Sequence, residues 1–241
     1  MASPRPRRFA PLRATADPSP FHGDPPLKGI IFDMDGTLCE PQTYMFREMR
    51  SVLGIPQSVD ILEHIDKLPA HQQPPAHEAI RAIERKAMAA QTPQPGLGAL
   101  MACLDAYRVP KAICTRNFDI PVQHLIAKFL PESRFYPVIT RDFRPPKPHP
   151  AGIVHIAQSW GLVDDSGAVD TSGLIMVGDS LDDLTAGRLA GAATVLLLND
   201  VNKELATHEH TDLVITQLDE LVHILENGFQ GRNIEPARIL L

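Results

Sequence analysis

The segment "IIFDMDGT", residues 30 to 37, sets Asp33 and Asp35 two positions apart at the end of an apolar run. A bare carboxylate at the end of a core strand is costly to desolvate, so a cation is expected beside this pair. Three later segments supply more chemistry of the same kind. "CTRN" ends an apolar run in Thr115, whose hydroxyl, with the backbone amides of Arg116 and Asn117, suits phosphate oxygens. "RPPKPHP" offers a fixed positive charge in Lys147, and "GDSLDD" adds Asp179, Asp182 and Asp183. Four or five carboxylates beside one lysine require a hard divalent cation with oxygen ligands, and Mg²⁺ is the usual choice.

These residues converge only if their segments are strands of one sheet. From Lys28 onward, short apolar runs alternate with helical periodicity, the signature of βαβ units. Strands are expected over 29–33, 111–115, 135–139, 173–179, 194–198 and 212–215, with helices over 97–107, 119–129, 150–160, 182–190 and 217–226. The fold class is therefore α/β, a Rossmann-like, mostly parallel sheet with helices on both faces. One interval breaks the alternation: residues 38–93 carry no strand signal and three amphipathic helical patterns, punctuated by prolines. This stretch is expected to be a small all-helical cap, inserted after the first strand and placed over the carboxyl edge, where open α/β sheets bind ligands. The core domain would then comprise 28–37 and 94–226, between a flexible Pro- and Arg-rich arm (1–27) and a C-terminal tail (227–241).

Composition narrows the partners. The chain has 241 residues, 44% of them hydrophobic, which suffices for one large domain with an insertion. A formal charge of -6 and the lack of a basic stripe argue against nucleic acid, and no apolar run approaches a membrane span. Small molecules are the expected partners, with the protein a monomer or weak homodimer. Three cysteines without paired spacing suit a reducing compartment. The cytoplasm is expected, with the mitochondrion as the alternative, because the Arg-rich start resembles a presequence that its prolines interrupt.

In this order and spacing, "DMDGT", the strand-ending Thr115, the Lys147 of "KPHP" and "GDSLDD" resemble the four motifs of the haloacid dehalogenase superfamily, over roughly residues 28–226. The likeness is to its phosphatase branch with a small helical cap, including phosphoglycolate phosphatase and beta-phosphoglucomutase relatives. The resemblance implies a Mg²⁺-dependent phosphatase acting on a small phosphorylated metabolite through an aspartyl phosphate. Asp33 would be the nucleophile and Asp35 the general acid and base, while Thr115, Arg116, Asn117 and Lys147 would hold the phosphoryl group. Mg²⁺ would lie among Asp33, Asp179, Asp183 and the backbone carbonyl of Asp35. An acid at position 35 disfavours dehalogenation, and a phosphonate-cleaving branch would need a cap lysine, Lys67 or Lys86. A phosphosugar mutase, or a binding protein that keeps the fold without turnover, remains as the alternative.

Outside the motifs, Asp182 is expected to be a first-turn helix acid and His149 a capping or packing residue. Arg141 and Arg144 stand evenly between steering an anion and decorating the surface. In the cap, Arg47 and the loop residues His71 and Gln72 are the candidates to contact a leaving group.

Overall fold

The computed structural model describes residues 6–13 and 23–232. Its core is a six-stranded sheet. The strands are β2 (Gly29–Phe32), β3 (Lys111–Cys114), β4 (Val138–Ile139), β5 (Leu174–Gly178), β6 (Ala193–Leu197) and β7 (Leu213–Ile215), in spatial order β4-β3-β2-β5-β6-β7. Every pairing is parallel. The first strand is thus central, and the chain leaves it toward one edge and then crosses to the other. That reversal leaves a crevice at the carboxyl ends of β2, β3 and β5.

Strand alternation sorts the core into two layers. Ile30, Phe32, Ile113, Ile175 and Val177 pack with α4 (Leu97–Ala106), α5 (Asp119–Phe129) and α8 (Glu220–Asn227). Ile31, Ala112, Cys114 and Met176 face the other way, onto α6 (Ala151–Ser159) and α7 (Leu181–Ala190). Both faces of the sheet are covered, which is why its strands are apolar runs and not alternating patterns. His149 Nδ1 accepts the Ala151 amide at the start of α6.

Between β2 and α4 lie α1 (Thr43–Leu53), α2 (Ile61–Lys67) and α3 (Gln73–Ala89). Their apolar stripes bury one another: Met45, Met49, Ile61, Ile65, Ile80 and Ile83 form a cluster separate from both sheet faces. Glycine at position 54, with φ +65°, ends α1 in the left-handed conformation that disfavours a Cβ.

The N-terminal segment differs from the expected flexible arm. β1 (Arg8–Phe9) pairs antiparallel with β8 (Phe229–Gln230), and the buried rings of Phe9 and Phe229 lie 5.4 Å apart. Two chain ends more than 200 residues apart thus dock on the α4/α8 layer, a pairing with no local signal in either segment. The remaining residues of the arm and tail, 1–5, 14–22 and 233–241, lie outside the described residues. No described helix is long and apolar enough to cross a membrane.

Candidate active site

Three strand ends and one loop build the floor of the site. Asp33 follows β2, Thr115 follows β3 and Asp179 follows β5, while Lys147 arrives from the loop between β4 and α6. Parallel register alone brings the first three together, since Phe32 sits level with Ile113 and Val177. Lys147 Nζ donates to Asp33 Oδ1 at 2.7 Å and to Asp183 Oδ1 at 2.5 Å, with all three side chains buried. Carboxylate oxygens of Asp33, Asp179 and Asp183 lie within 4.8 Å of one another.

Local structure holds each acid in place. Asp183 is the third residue of α7, and its Oδ2 accepts the amide and hydroxyl of Ser180 while the Ser180 hydroxyl caps the Asp183 amide. This capping box pins one oxygen and leaves the other for Lys147. Two glycines make room. A Cβ on Gly178 would meet Asp183 Cβ at 2.3 Å, and one on Gly36, where φ is +81°, would meet Asp179 Oδ2 at 2.1 Å. Asp35 stands apart: its Oδ2 accepts from Asn117 Nδ2 at 2.9 Å and its Oδ1 faces the Cys39 thiol at 3.9 Å. Asn117 in turn accepts the Phe118 amide through its Oδ1, so the amide is oriented from both ends.

The electrostatics are unbalanced. Burial pushes the carboxyls of Asp33 and Asp179 well above the usual range, to about 8 for Asp179, with neighbouring acids adding to the effect and Lys147 opposing it. Burial likewise raises Asp35, against the hydrogen bond from Asn117. Lys147, although desolvated, is held charged by Asp183 and Asp33. One ammonium is too little positive charge for three close carboxyls to ionise together in a low-dielectric pocket, so the donor set fits a hard divalent cation. Burial and the charge of Asp35 raise the Cys39 thiol, which stays protonated.

These residues line a cavity of about 580 Å³ whose walls come from α1, α2, α3 and the loop after β6. Asp33, Asp35, Thr115, Arg116, Asn117, Lys147, Asp179 and Asp183 all border it. The cap candidates do not. Arg47 borders a separate hollow with Tyr44 and Gln57, because it follows Phe46 around α1 to the next face. His71 and Gln72 sit exposed in the turn that opens α3 and contact each other, not the cavity. Lys67 and Lys86 form exposed pairs with Glu63 and Glu48 and likewise do not border it.

Several contributors carry no motif. Asn199 Nδ2 donates to Asp179 Oδ2 at 3.1 Å, and Asn202 Nδ2 to the Asp179 carbonyl at 2.7 Å, so the loop after β6 steadies this acid from behind. Arg116 extends to two acids, Asp182 at 2.6 Å and Asp60, the N-cap of α2, at 2.5 Å. Arg141 pairs with Glu84 of α3, both almost fully buried, and its guanidinium lies 5.1 Å from the Phe118 ring centroid. Arg144 reaches Asp66 of α2 at 3.6 Å. Alternating apolar periodicity gives no hint of such pairs; only a surplus of arginine after strand ends could have pointed to them.

A family model described as haloacid dehalogenase-like hydrolase matches residues 27–191. An uncharacterized hydrolase of Saccharomyces cerevisiae is 44% identical over 204 residues, covering 83% of this chain and 90% of that one. A haloacid dehalogenase-like hydrolase domain-containing protein of Arabidopsis thaliana is 34% identical over 220 residues, covering 84% and 85%. Among solved structures, a predicted phosphoglycolate phosphatase of Haemophilus somnus is 19% identical with TM-score 0.63, covering 82% of this chain and 97% of that one. CbbY of Rhodobacter sphaeroides, in complex with xylulose-(1,5)bisphosphate, is 20% identical with TM-score 0.60, covering 81% and 96%. At these identities the two structures speak for the fold alone.

Proposed function

The chain belongs to the haloacid dehalogenase-like hydrolases, and from that premise we propose that it is a Mg²⁺-dependent phosphomonoesterase working through an aspartyl phosphate on Asp33. The observation that carries this reading is Asp33 itself: a buried carboxylate at a strand end, one oxygen held by Lys147, beside Thr115 and a second acid that is separately hydrogen-bonded. A phosphorus atom approached by the free Asp33 oxygen would have its outer oxygens near Lys147 and Thr115, the donors that stabilise developing charge. Attack breaks the phosphorus–oxygen bond to the leaving group and forms the bond to Asp33.

Asp35 serves as general acid and base in this scheme. Burial favours its protonated form, so it can give a proton to the departing oxygen. The resulting carboxylate takes a proton from the water that hydrolyses the acyl phosphate, and Asn117 holds it in line for both steps. Asp33, Asp179 and Asp183, with the backbone carbonyl of Asp35, would hold Mg²⁺, which when bound screens the repulsion between the phosphate dianion and the carboxylates. Arg116 takes a positioning part here, as its side chain is committed to Asp60 and Asp182. In this scheme 28–37 and 94–226 form the catalytic core and 38–93 the cap that closes the cavity.

The test is phosphate release from p-nitrophenyl phosphate and a panel of phosphorylated metabolites, with Mg²⁺ or EDTA, comparing wild type with Asp33→Asn. Mg²⁺-dependent release that the variant abolishes supports the scheme. Release that persists in a folded Asp33→Asn protein would remove Asp33 as the nucleophile.

A further inference from the structure

The cavity reaches well beyond the phosphoryl floor, and its outer wall has a definite chemistry. Met45, Phe46 and Met49 of α1 and Ile61 of α2 line the cap side; Leu181 and Val201 line the core side. Phe46 is 39% exposed, Leu181 42% and Val201 67%. Large apolar side chains left open to water around one cavity mouth mark a surface kept for an apolar ligand.

The polar side chains of that wall are largely engaged within the protein, and the atoms left without a partner, Arg141 Nε and Nη1, Glu84 Oε2 and Arg50 Nε, are themselves buried from solvent. Arg116 is shared between Asp60 and Asp182, and Arg141 is held by Glu84. Asp60 also accepts the Glu63 amide, and Gln42 Nε2 donates to the Ala87 carbonyl within the cap. Hydroxyls of a sugar brought here would give up water for few partners that face the cavity, because the unpartnered atoms are shielded, a loss for each group buried without a hydrogen bond. A second phosphate would face Asp60, Glu84, Asp182 and Glu204 across the same space, with two of the three arginines of the wall already neutralised. The third, Arg50, donates Nη1 to the Phe46 carbonyl at 3.4 Å, beside the apolar ring.

We propose that this cavity selects monophosphate esters whose leaving group is an apolar, ring-bearing body packed against Phe46, Met49 and Val201, and discriminates against sugar phosphates and bisphosphates. The inference rests on the phosphomonoesterase reading above and names its substrate class. Phosphorus is transferred as described there, and the leaving oxygen departs as an alcohol or phenol after protonation by Asp35. The apolar wall contributes binding of the leaving group without touching the reacting atoms.

Two measurements test it on the full chain with Mg²⁺. The first compares kcat/KM for 1-naphthyl phosphate, glucose 6-phosphate and fructose 1,6-bisphosphate, in wild type and Phe46→Ala. The second titrates naphthylmethylphosphonate, which cannot be hydrolysed at its phosphorus–carbon bond by this route, and follows the heat of binding. Naphthyl phosphate should exceed both sugar esters by about tenfold or more, Phe46→Ala should narrow that ratio several-fold, and the phosphonate should bind more weakly to the variant. Preference for either sugar ester, with the ratio unmoved by Phe46→Ala, overturns the inference and leaves the hydrolase scheme standing. Phosphonate binding weakened by Phe46→Ala, with no ester hydrolysed, sustains the cavity assignment and overturns the hydrolytic scheme. Neither hydrolysis nor binding overturns both.

Discussion

The floor of the site and the seam between α1–α3 and the sheet are both built from charged side chains, yet they are held differently. On the floor, Asp33, Asp183 and Lys147 are buried; the backbone of Asp33 is fixed by the strand ladder and that of Asp183 by a helix cap, and Lys147 reaches both from its loop. Across the seam, three core arginines each reach an acid of the helical insertion: Arg116 to Asp60, Arg141 to Glu84 and Arg144 to Asp66. The apolar cluster of α1–α3 does not merge with either sheet-face cluster, and these side-chain pairs cross the gap between them. Atoms that must stay fixed are thus tied to the backbone ladder. The cavity wall above them is tied by longer side chains, whose worth depends on burial and salt.

The comparison is broken most sharply on the floor. Asp33→Asn should lower turnover by at least about 10⁴-fold, because no second carboxylate can take its place in line, and circular dichroism should show the fold retained. Lys147→Met leaves Asp33 and Asp183 buried beside each other without their cation. It should cost about 3–5 kcal/mol of stability in denaturant titrations and on the order of 10³-fold in kcat.

The seam should respond by degrees. In Arg141→Met the buried Glu84 loses its partner, and burial already pushes that carboxyl up to about 7 against the pull of Arg141. Without the arginine it rises further. Between the ordinary value of 4.5 and the raised one, the folded chain keeps a proton that the unfolded chain releases, so stability falls as pH rises through that window. Wild type follows the same fall up to about 7, where its own Glu84 ionises, so the deficit relative to wild type opens only above that value: it should be small near about pH 5 and about 1 kcal/mol near about pH 8, read from urea midpoints at both. A deficit independent of pH would mean that Glu84 stays ionised in the fold. Arg144→Ala, at a half-exposed pair 3.6 Å apart, should change stability by less than about 0.5 kcal/mol, within the error of the same titration. A larger effect would place this pair with the floor and erase the contrast.

What could be read from the chain divides along the same line. The strand starting at Gly29 ends at Phe32, one residue short of the expectation, and α5 spans the expected 119–129, because apolar periodicity reports which face each segment buries. The convergence of Asp33, Thr115, Lys147, Asp179 and Asp183 on one cavity was legible too, since residues that end parallel strands must meet at one edge. The cap contacts were not. Arg47 and Phe46 are neighbours in sequence, but a residue step on a helix turns about 100°, and only the packing of α1 on α3 decides which of them faces the cavity.

The sequence by itself determined the six strands of the parallel sheet, the order of the helices and the acids at the sheet edge, all of which follow from local periodicity and from chain order. Only the tertiary structure decided the partners of Arg116, Arg141 and Arg144, the steadying of Asp179 by Asn199 and Asn202, and the joining of β1 to β8. Each of these joins residues distant in the chain through a single pair of polar groups or one short ladder. Such a contact repeats nothing along the sequence, so it leaves no period to read and is fixed only when the packed elements bring its two ends within reach.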